Sequence, residues 1–228
     1  MNLHAVMWWG VGRTLLAGLT RATTSIKVYG AERVPREGGA VLAVNHIHWI
    51  DTPVIGATCP RRIAYLAKAE VDAVPLAGAF IRSFGTLFVR RGESDRDAVR
   101  LARNAVRNNL LLGMFVEGTR QRHGRPGEAK PGAAMVAIQE GVPVVPAAIY
   151  GTERWRVGMP RPQASLAWGE PMRFSEYPRN SKGYRQATGE IETEIRRLWE
   201  FLERMEAAGR PEGVPPRRTA VPSKSKSE

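Results

Sequence analysis

His46 and Asp51 are the pair of residues in this sequence best suited to acid–base chemistry. His46 lies just beyond the apolar run at residues 40–44, which has the composition of a buried strand, and Asp51 follows in the next turn of chain. A loop that leaves such a strand can bring the carboxylate back onto the imidazole, where it would fix one tautomer and stabilise the imidazolium. The spacing therefore predicts a general base with its orienting partner. Taken alone, the same spacing also fits a surface loop without chemistry.

Two further segments carry residue types that bind phosphate. Residues 117–120 read Glu-Gly-Thr-Arg and follow an apolar run. A glycine turn at that place lets backbone N–H groups, a hydroxyl and a guanidinium converge on one anion. Arg90 ends another apolar run, on what can be the same rim of a sheet. Read singly, residues 117–120 fit a structural turn equally well, and Arg90 fits a surface charge.

The elements that must position these residues alternate along the chain. Clear helix patterns separate several of the apolar runs, and this alternation predicts an α/β layered domain with a mixed, largely parallel sheet flanked by helices. The predicted strands cover residues 25–29, 40–45, 63–67, 86–90, 113–117, 142–150 and 164–169, and the predicted helices cover about 94–110, 129–140 and 182–205.

The composition divides the chain into three parts. Residues 1–22 are apolar with paired Trp8 and Trp9, but Arg13 interrupts them before the ~20 residues that span a bilayer. They predict an amphipathic helix in the membrane interface, with packing on the core as the alternative. Residues 23–206 form the predicted catalytic domain. From residue 207 to 228 Gly, Pro, Ser and Lys dominate, which predicts a disordered basic tail.

Charge and cysteine content limit the partners. The formal net charge of +12 on 228 residues indicates an anionic partner or surface, such as nucleic acid, lipid headgroups or a phosphorylated substrate. No zinc-finger, helix-turn-helix or aromatic RNA-binding signature is present, which argues against nucleic acid. The single cysteine, Cys59, excludes a disulfide within the chain and a multi-cysteine zinc site.

The order of the segments resembles the four sequence blocks of the glycerolipid acyltransferases, and within them the bacterial 1-acyl-glycerol-3-phosphate acyltransferases. The blocks correspond to residues 45–51, 85–90, 115–120 and 142–146, and the resemblance covers roughly residues 25–170. Lys68-Ala69-Glu70 and Lys130-Pro131-Gly132 also match segments between the blocks. Two departures are Gln121, where the family often has serine, and a shorter N-terminal segment than relatives often carry.

The resemblance implies an O-acyltransferase that moves a fatty acyl chain from a thioester to the sn-2 hydroxyl of 1-acyl-glycerol-3-phosphate, giving phosphatidic acid. His46 would remove the proton from the hydroxyl and Asp51 would orient His46. The implied donor is acyl-CoA or acyl carrier protein, and the resemblance implies no cofactor and no metal. Because a thiolate leaves readily, no covalent enzyme intermediate is needed. The residues implied for the acceptor phosphate are Lys68, Arg90, Glu117, Gly118, Thr119 and Arg120.

The lipid acceptor and product imply an enzyme on the cytoplasmic face of the cell membrane, held peripherally among anionic headgroups. Glycerol-3-phosphate, another lysophospholipid or a non-phosphorylated alcohol stay open as acceptors. A more distant alternative is a metal-dependent hydrolase, because His46, His48 and Asp51 superficially resemble a metal signature. The further histidine of that signature is missing, however. The non-enzymatic alternative is a basic membrane-binding module in which residues 46–51 form only a structural turn.

Overall fold

Seven strands form one sheet in the computed structural model, which describes residue 18 and residues 22–68, 87–89, 95–156 and 161–218. The predicted interface helix at residues 1–22 falls almost wholly outside these ranges, as does Arg90. The strands are β1 (Ser25–Tyr29), β2 (Ala40–Val44), β3 (Ile63–Lys68), β4 (Leu87–Val89), β5 (Leu111–Phe115), β6 (Val144–Tyr150) and β7 (Gln163–Trp168). The α-helices are α1 (Asp51–Thr58), α2 (Asp95–Arg107), α3 (Gly132–Glu140) and α4 (Ser181–Ala207).

The sheet is mixed and largely parallel, as the sequence predicts. Its strand order is β1-β7-β6-β2-β5-β3-β4, and β6 with β7 is the antiparallel pair among otherwise parallel neighbours. The carboxyl ends of β6, β2, β5, β3 and β4 therefore meet at one edge of the sheet. We call this edge the catalytic edge, because the loops that carry the predicted site leave from it.

Central strand β2 shows how helices cover both faces of the sheet. All five of its residues are buried. Val41 and Ala43 pack in a cluster with residues of α2, α3 and α4. Ala40, Leu42 and Val44 pack in a second cluster, on the opposite face, that includes residues of α1. A strand buried on both faces is a nearly continuous apolar run rather than an alternating one, and this explains the composition of residues 40–44.

The helix ends follow from local sequence. Pro53 lies in the first turn of α1, where its missing N–H costs nothing. Gly141 ends α3 in a left-handed conformation with φ +67°, and its N–H bonds the carbonyl of Ala137. Asn180 caps α4 by accepting hydrogen bonds from the N–H groups of Lys182 and Gly183.

Most predicted elements differ from the structure by a few residues at one or both ends, and two of these differences affect the site. Strand β5 is Leu111–Phe115, two residues earlier than predicted, because the N–H of Gly118 bonds the carbonyl of Phe115 and turns the chain out of the ladder. Helix α3 begins at Gly132 rather than at residue 129, because Pro131 occupies its N-cap position. Both shifts move polar residues out of regular structure and into loops at the catalytic edge.

Residues 208–218, which the sequence assigns to a disordered tail, run back along the domain in the structure. The Arg33 side chain donates to the carbonyl of Pro215 (2.6 Å), and Arg197 donates to the carbonyl of Arg217 (2.7 Å). Glu212 also pairs with Lys27 of β1. These guanidinium and ammonium contacts compensate for the few apolar side chains of the segment.

No helix within the described ranges is both long enough and apolar enough to cross a bilayer.

Candidate active site

The turn between β2 and α1 is held closed by one carboxylate. Asp51 is fully buried, and its Oδ2 atom accepts hydrogen bonds from the backbone N–H groups of Ile47 (2.7 Å) and His48 (2.8 Å). The same oxygen lies 2.8 Å from Nδ1 of His46. Because two backbone donors fix the carboxylate, the imidazole is oriented by a group that cannot rotate freely.

This arrangement sets the chemistry available to His46. A carboxylate only accepts hydrogen bonds, so Nδ1 carries a hydrogen and donates a hydrogen bond to Oδ2 of Asp51, which leaves Nε2 as the basic nitrogen. The His46 side chain keeps 17% of its surface exposed, whereas Asp51 keeps none. The imidazole also stacks on Phe115, with ring centroids 3.8 Å apart. The Asp51 carboxylate therefore holds one edge of the imidazole, and the Phe115 ring covers one of its faces.

Glu117 ties the neighbouring strand end to the histidine. It is buried, and its Oε2 accepts from the backbone N–H of His46 (2.8 Å) while Oε1 accepts from that of Gly127 (2.9 Å). Burial raises the pKa of Glu117 above its ordinary value, and these two backbone hydrogen bonds offset part of that effect. Both oxygens are engaged, and a carboxylate repels an anion. We therefore infer that Glu117 positions the His46 loop, in place of the phosphate contact implied by the resemblance.

The turn after Glu117 lies beside the histidine. Gly118 has φ +70°, which favours glycine, and Gly118, Thr119 and Arg120 are all exposed. The next backbone N–H, that of Gln121, donates to the carbonyl of His46 at 2.7 Å. The Gly-Thr-Arg turn and the predicted base are thus linked by one short backbone hydrogen bond.

Lys130 is a candidate phosphate ligand to which the sequence analysis gave no role. Its ammonium packs against the turn, so that a Cβ atom added at Gly118 would lie 3.0 Å from Nζ. The backbone N–H of Lys130 donates to the carbonyl of Val116 (2.8 Å), which fixes its base next to the turn. In the sequence, the position of Lys130 directly before Pro131 and α3 was the available signal for this role.

Lys68 is located only through the backbone of its strand. Lys68 is the last residue of β3 and lies in register with Val89 of β4, at the catalytic edge. Arg90, which follows Val89, lies outside the described residues. The sheet thus brings the chain at Lys68 to the same edge as His46, with β5 between their two strands.

Asn45 locks the start of the turn. Its side-chain amide donates to the carbonyl of Ile149 (3.0 Å) and accepts from the N–H of the same residue (2.9 Å), so it joins β2 to β6. Asn45 is fully buried, so its role is to shape the turn.

Among the described residues, no group of three His, Cys, Asp or Glu side chains is arranged to hold a metal ion.

The sequence model of the acyltransferase family matches residues 25–150, which include the His46 turn, Glu117 and Lys130. The chain belongs to this family of acyltransferases. A 1-acyl-sn-glycerol-3-phosphate acyltransferase from Bacillus subtilis is 28% identical over 153 residues, covering 67% of this chain and 76% of that protein. A lyso-ornithine lipid O-acyltransferase from Pseudomonas aeruginosa is 38% identical over 161 residues, covering 69% of this chain and 56% of that protein.

A solved structure shares the acyltransferase fold. The crystal structure of the 1-acyl-sn-glycerophosphate acyltransferase from Thermotoga maritima matches with a TM-score of 0.69 at 25% identity, covering 87% of this chain and 79% of that one. This chain spans about three quarters of the length of the Bacillus enzyme, little more than half of the Pseudomonas one, and less than half of some other curated relatives.

Aromatic side chains lie beside the candidate site. Trp49 lies within the histidine turn and Trp155 follows β6, and their rings meet edge to face at 4.9 Å. The His48 ring lies against both, at 5.7 Å from Trp49 and 5.9 Å from Trp155. Burial lowers the pKa of His48; the Asp51 carboxylate offsets part of this effect, and the nearby Arg120 and Arg156 lower the pKa further. The sequence analysis gave these tryptophans no role, because their contact depends on strands that are distant in the chain.

Proposed function

We propose that this acyltransferase moves a fatty acyl chain from acyl-CoA or acyl carrier protein to the sn-2 hydroxyl of 1-acyl-glycerol-3-phosphate, giving phosphatidic acid. The observation that carries the proposal is the fixed His46–Asp51 pair, joined through the N–H of Gln121 to the basic Gly-Thr-Arg turn. A base and an anion site side by side suit an acceptor that has both a hydroxyl and a phosphate.

His46 acts as the general base in this proposal. Its Nε2 takes the proton of the acceptor hydroxyl as the oxygen attacks the thioester carbonyl, and Asp51 stabilises the imidazolium. A C–O bond forms and the C–S bond breaks, and the proton then leaves His46 for the thiolate. Thioesters with thiolate leaving groups react in one such transfer, so a serine or cysteine nucleophile is not required.

The acceptor phosphate is bound by the basic groups of the catalytic edge in this proposal. Arg120 and Lys130 flank the Gly118–Thr119 turn, Lys68 ends β3, and Arg90 is the residue after β4 in the sequence. Guanidinium and ammonium groups form short, charge-assisted hydrogen bonds with phosphate oxygens. The backbone N–H groups of Thr119 and Arg120, both exposed residues, add further donors.

The direct test is acyl transfer by the purified protein in detergent micelles. We expect thioester consumption from acyl-CoA or acyl carrier protein only when 1-acyl-glycerol-3-phosphate is present, with phosphatidic acid as the product. Thioester loss without an acceptor, or no transfer to any lysolipid, would contradict the proposal.

A second acceptor is favoured by one observation. The relative named as a lyso-ornithine lipid O-acyltransferase is 38% identical, above the 28% of the Bacillus enzyme. Lyso-ornithine lipid therefore belongs in the same assay, beside glycerol-3-phosphate and other lysophospholipids. The higher kcat/KM identifies the acceptor.

Arg120→Ala and Lys130→Ala should chiefly raise KM for the phosphorylated acceptor. Each lost charge-assisted contact is worth about 1.5–3 kcal/mol, which is about tenfold to a hundredfold in affinity. KM for the acyl donor should change little. Initial rates over a matrix of both substrate concentrations separate the two constants.

Arg179→Ala and Lys182→Ala are the matched controls. Both residues are exposed and lie at the start of α4, on the opposite edge of the sheet from His46. They should leave both KM values unchanged. An equal loss toward donor and acceptor in the Arg120 or Lys130 variant would contradict a phosphate site at this turn.

We also propose that the protein is peripheral on the cytoplasmic face of the cell membrane, through residues 1–22 and the +12 charge. Salt screens attraction between charges but not apolar insertion. High salt should therefore leave much of the protein in the membrane fraction, whereas detergent should release it. Complete release by salt alone would show that insertion is absent.

A further inference from the structure

The most exposed aromatic side chain of the described residues lies at the catalytic edge. Trp49 keeps 50% of its surface exposed, whereas Trp168 and Trp199 keep 0% and 6%. Within the described ranges, the other large apolar side chain that is exposed is Val214, which lies in the segment beyond α4. An indole held half out of the protein beside the catalytic histidine contributes little to the core.

Trp49 is held in place rather than loosely attached. Its ring meets Trp155 edge to face, and the His48 ring contacts both indoles. Trp155 itself packs against the buried cluster that contains α1. The three rings therefore form one rigid aromatic surface, which we call the aromatic rim (His48, Trp49 and Trp155).

Positive charge surrounds the aromatic rim. Arg120 and Arg156 are exposed and lie close enough to His48 to disfavour its protonated form. Arg122 is also exposed, on the loop after β5. Of the nearby carboxylates, Asp51 is fully buried and Glu153 is paired with Arg154 at 3.5 Å. Indole rings favour the level of the lipid headgroups, and arginine near them is attracted by anionic lipid.

We infer that the aromatic rim and the arginines beside it, Arg120 and Arg156, form a docking surface for an anionic phospholipid bilayer, separate from residues 1–22. The inference rests on the proposed function in one respect, because a lipid acceptor must reach His46 from the bilayer. Docking through Trp49 presents the catalytic edge to the membrane, so the acceptor needs to leave the headgroup layer only partly.

Trp49→Ser tests the apolar part of the surface. The probe is vesicles of phosphatidylglycerol and phosphatidylcholine without any acceptor, and the readout is the partition coefficient of the full-length protein. We expect about a tenfold loss of binding, from the apolar area that no longer inserts. Val214→Ser removes a similarly exposed apolar group away from the catalytic edge and should bind like the wild type.

Arg156→Gln tests the charge. At low ionic strength we expect about a fivefold loss on anionic vesicles, from roughly 1 kcal/mol for each arginine near the surface, and no loss on phosphatidylcholine alone. Arg179→Gln, at the opposite edge, is the control and should bind as the wild type does.

A quenching experiment keeps the inference testable if residues 1–22 dominate binding. Trp49→Phe should reduce the part of the tryptophan fluorescence that brominated phosphatidylglycerol quenches. An unchanged quenchable part would overturn the docking surface, because Trp49 would then lie outside the lipid. Transfer to a short-chain acceptor dissolved as monomer should stay within about twofold of the wild type in Arg156→Gln, because Arg156 is exposed and lies outside the His46 turn. This assay separates docking from the proposed reaction, since all the vesicle measurements are made without turnover.

Discussion

His46→Ala should reduce kcat for acyl transfer by about a hundredfold to ten-thousandfold, the usual contribution of a general base. The reason is geometric as well as chemical. The Asp51 carboxylate fixes Nδ1 at 2.8 Å, so Nε2 is left as the nitrogen that can take the proton of the hydroxyl. No other side chain is joined to Asp51 in this way within the described residues.

Asp51→Asn should also be severe, for a different reason. The amide oxygen can still accept from the N–H groups of Ile47 and His48, so the turn should keep its shape. The amide carries no charge to balance the imidazolium, and its NH2 group would be buried where Oδ1 of Asp51 has no partner among the described residues. We expect a loss of kcat close to that of His46→Ala, and the double variant should be hardly worse than either single variant.

The measurement is kcat in micelles, with thermal unfolding followed for every variant. His123→Ala is the matched control, because His123 is exposed and hydrogen-bonds Gln121 rather than a carboxylate. A His46 variant that folds and keeps near wild-type turnover would exclude the proposed base.

The sequence predicts the fold class well because burial determines composition. The run at residues 40–44 is apolar throughout, and in the structure it is the central strand with helices on both faces. The predicted bounds of strand β5 were two residues too late, because an apolar run does not show where a glycine turn ends the strand pairing. The strand order was not predicted, because pairing depends on contacts between distant parts of the chain.

The site could be predicted where its residues are close in sequence. His46 and Asp51 are in the same turn, and the structure brings them to hydrogen-bonding distance. Glu117 and Lys130 were harder to interpret, because a carboxylate or an ammonium in a loop does not reveal its partners. The bonds of Glu117 to the N–H groups of His46 and Gly127 span two strands and a loop.

Glu117→Gln separates positioning from phosphate binding. A glutamine has one acceptor oxygen, so it can keep only one of the two bonds that join the N–H groups of His46 and Gly127. Its NH2 group then faces the other N–H. A displacement of His46 by about 1 Å can cost up to about a hundredfold in rate, so we expect kcat to fall by about tenfold to a hundredfold. Both KM values should stay near those of the wild type.

The pH dependence of stability gives a second readout. Burial raises the pKa of Glu117 above its ordinary 4.5, so the folded protein binds this proton more tightly than the unfolded chain does. Protonated Glu117 therefore stabilises the folded protein at low pH, and this stabilisation is lost as the pH rises from about 4.5 through the pKa of the folded state. Because glutamine does not titrate, the free energy of unfolding of Glu117→Gln should improve relative to the wild type over that range. Glu128→Gln, exposed in the same loop, should not show this change.

The sign of the KM change decides the role of Glu117. If Glu117 contacted the acceptor phosphate, removing its negative charge would relieve repulsion, and KM for the phosphorylated acceptor would fall. If it positions His46, the loss appears in kcat, and Arg120→Ala changes KM by the same factor in the Glu117→Gln background as in the wild type. A lower acceptor KM with unchanged kcat in Glu117→Gln would contradict the positioning role. The two bonds seen in the structure predict the opposite result, because they engage both carboxylate oxygens with backbone donors and leave neither for substrate.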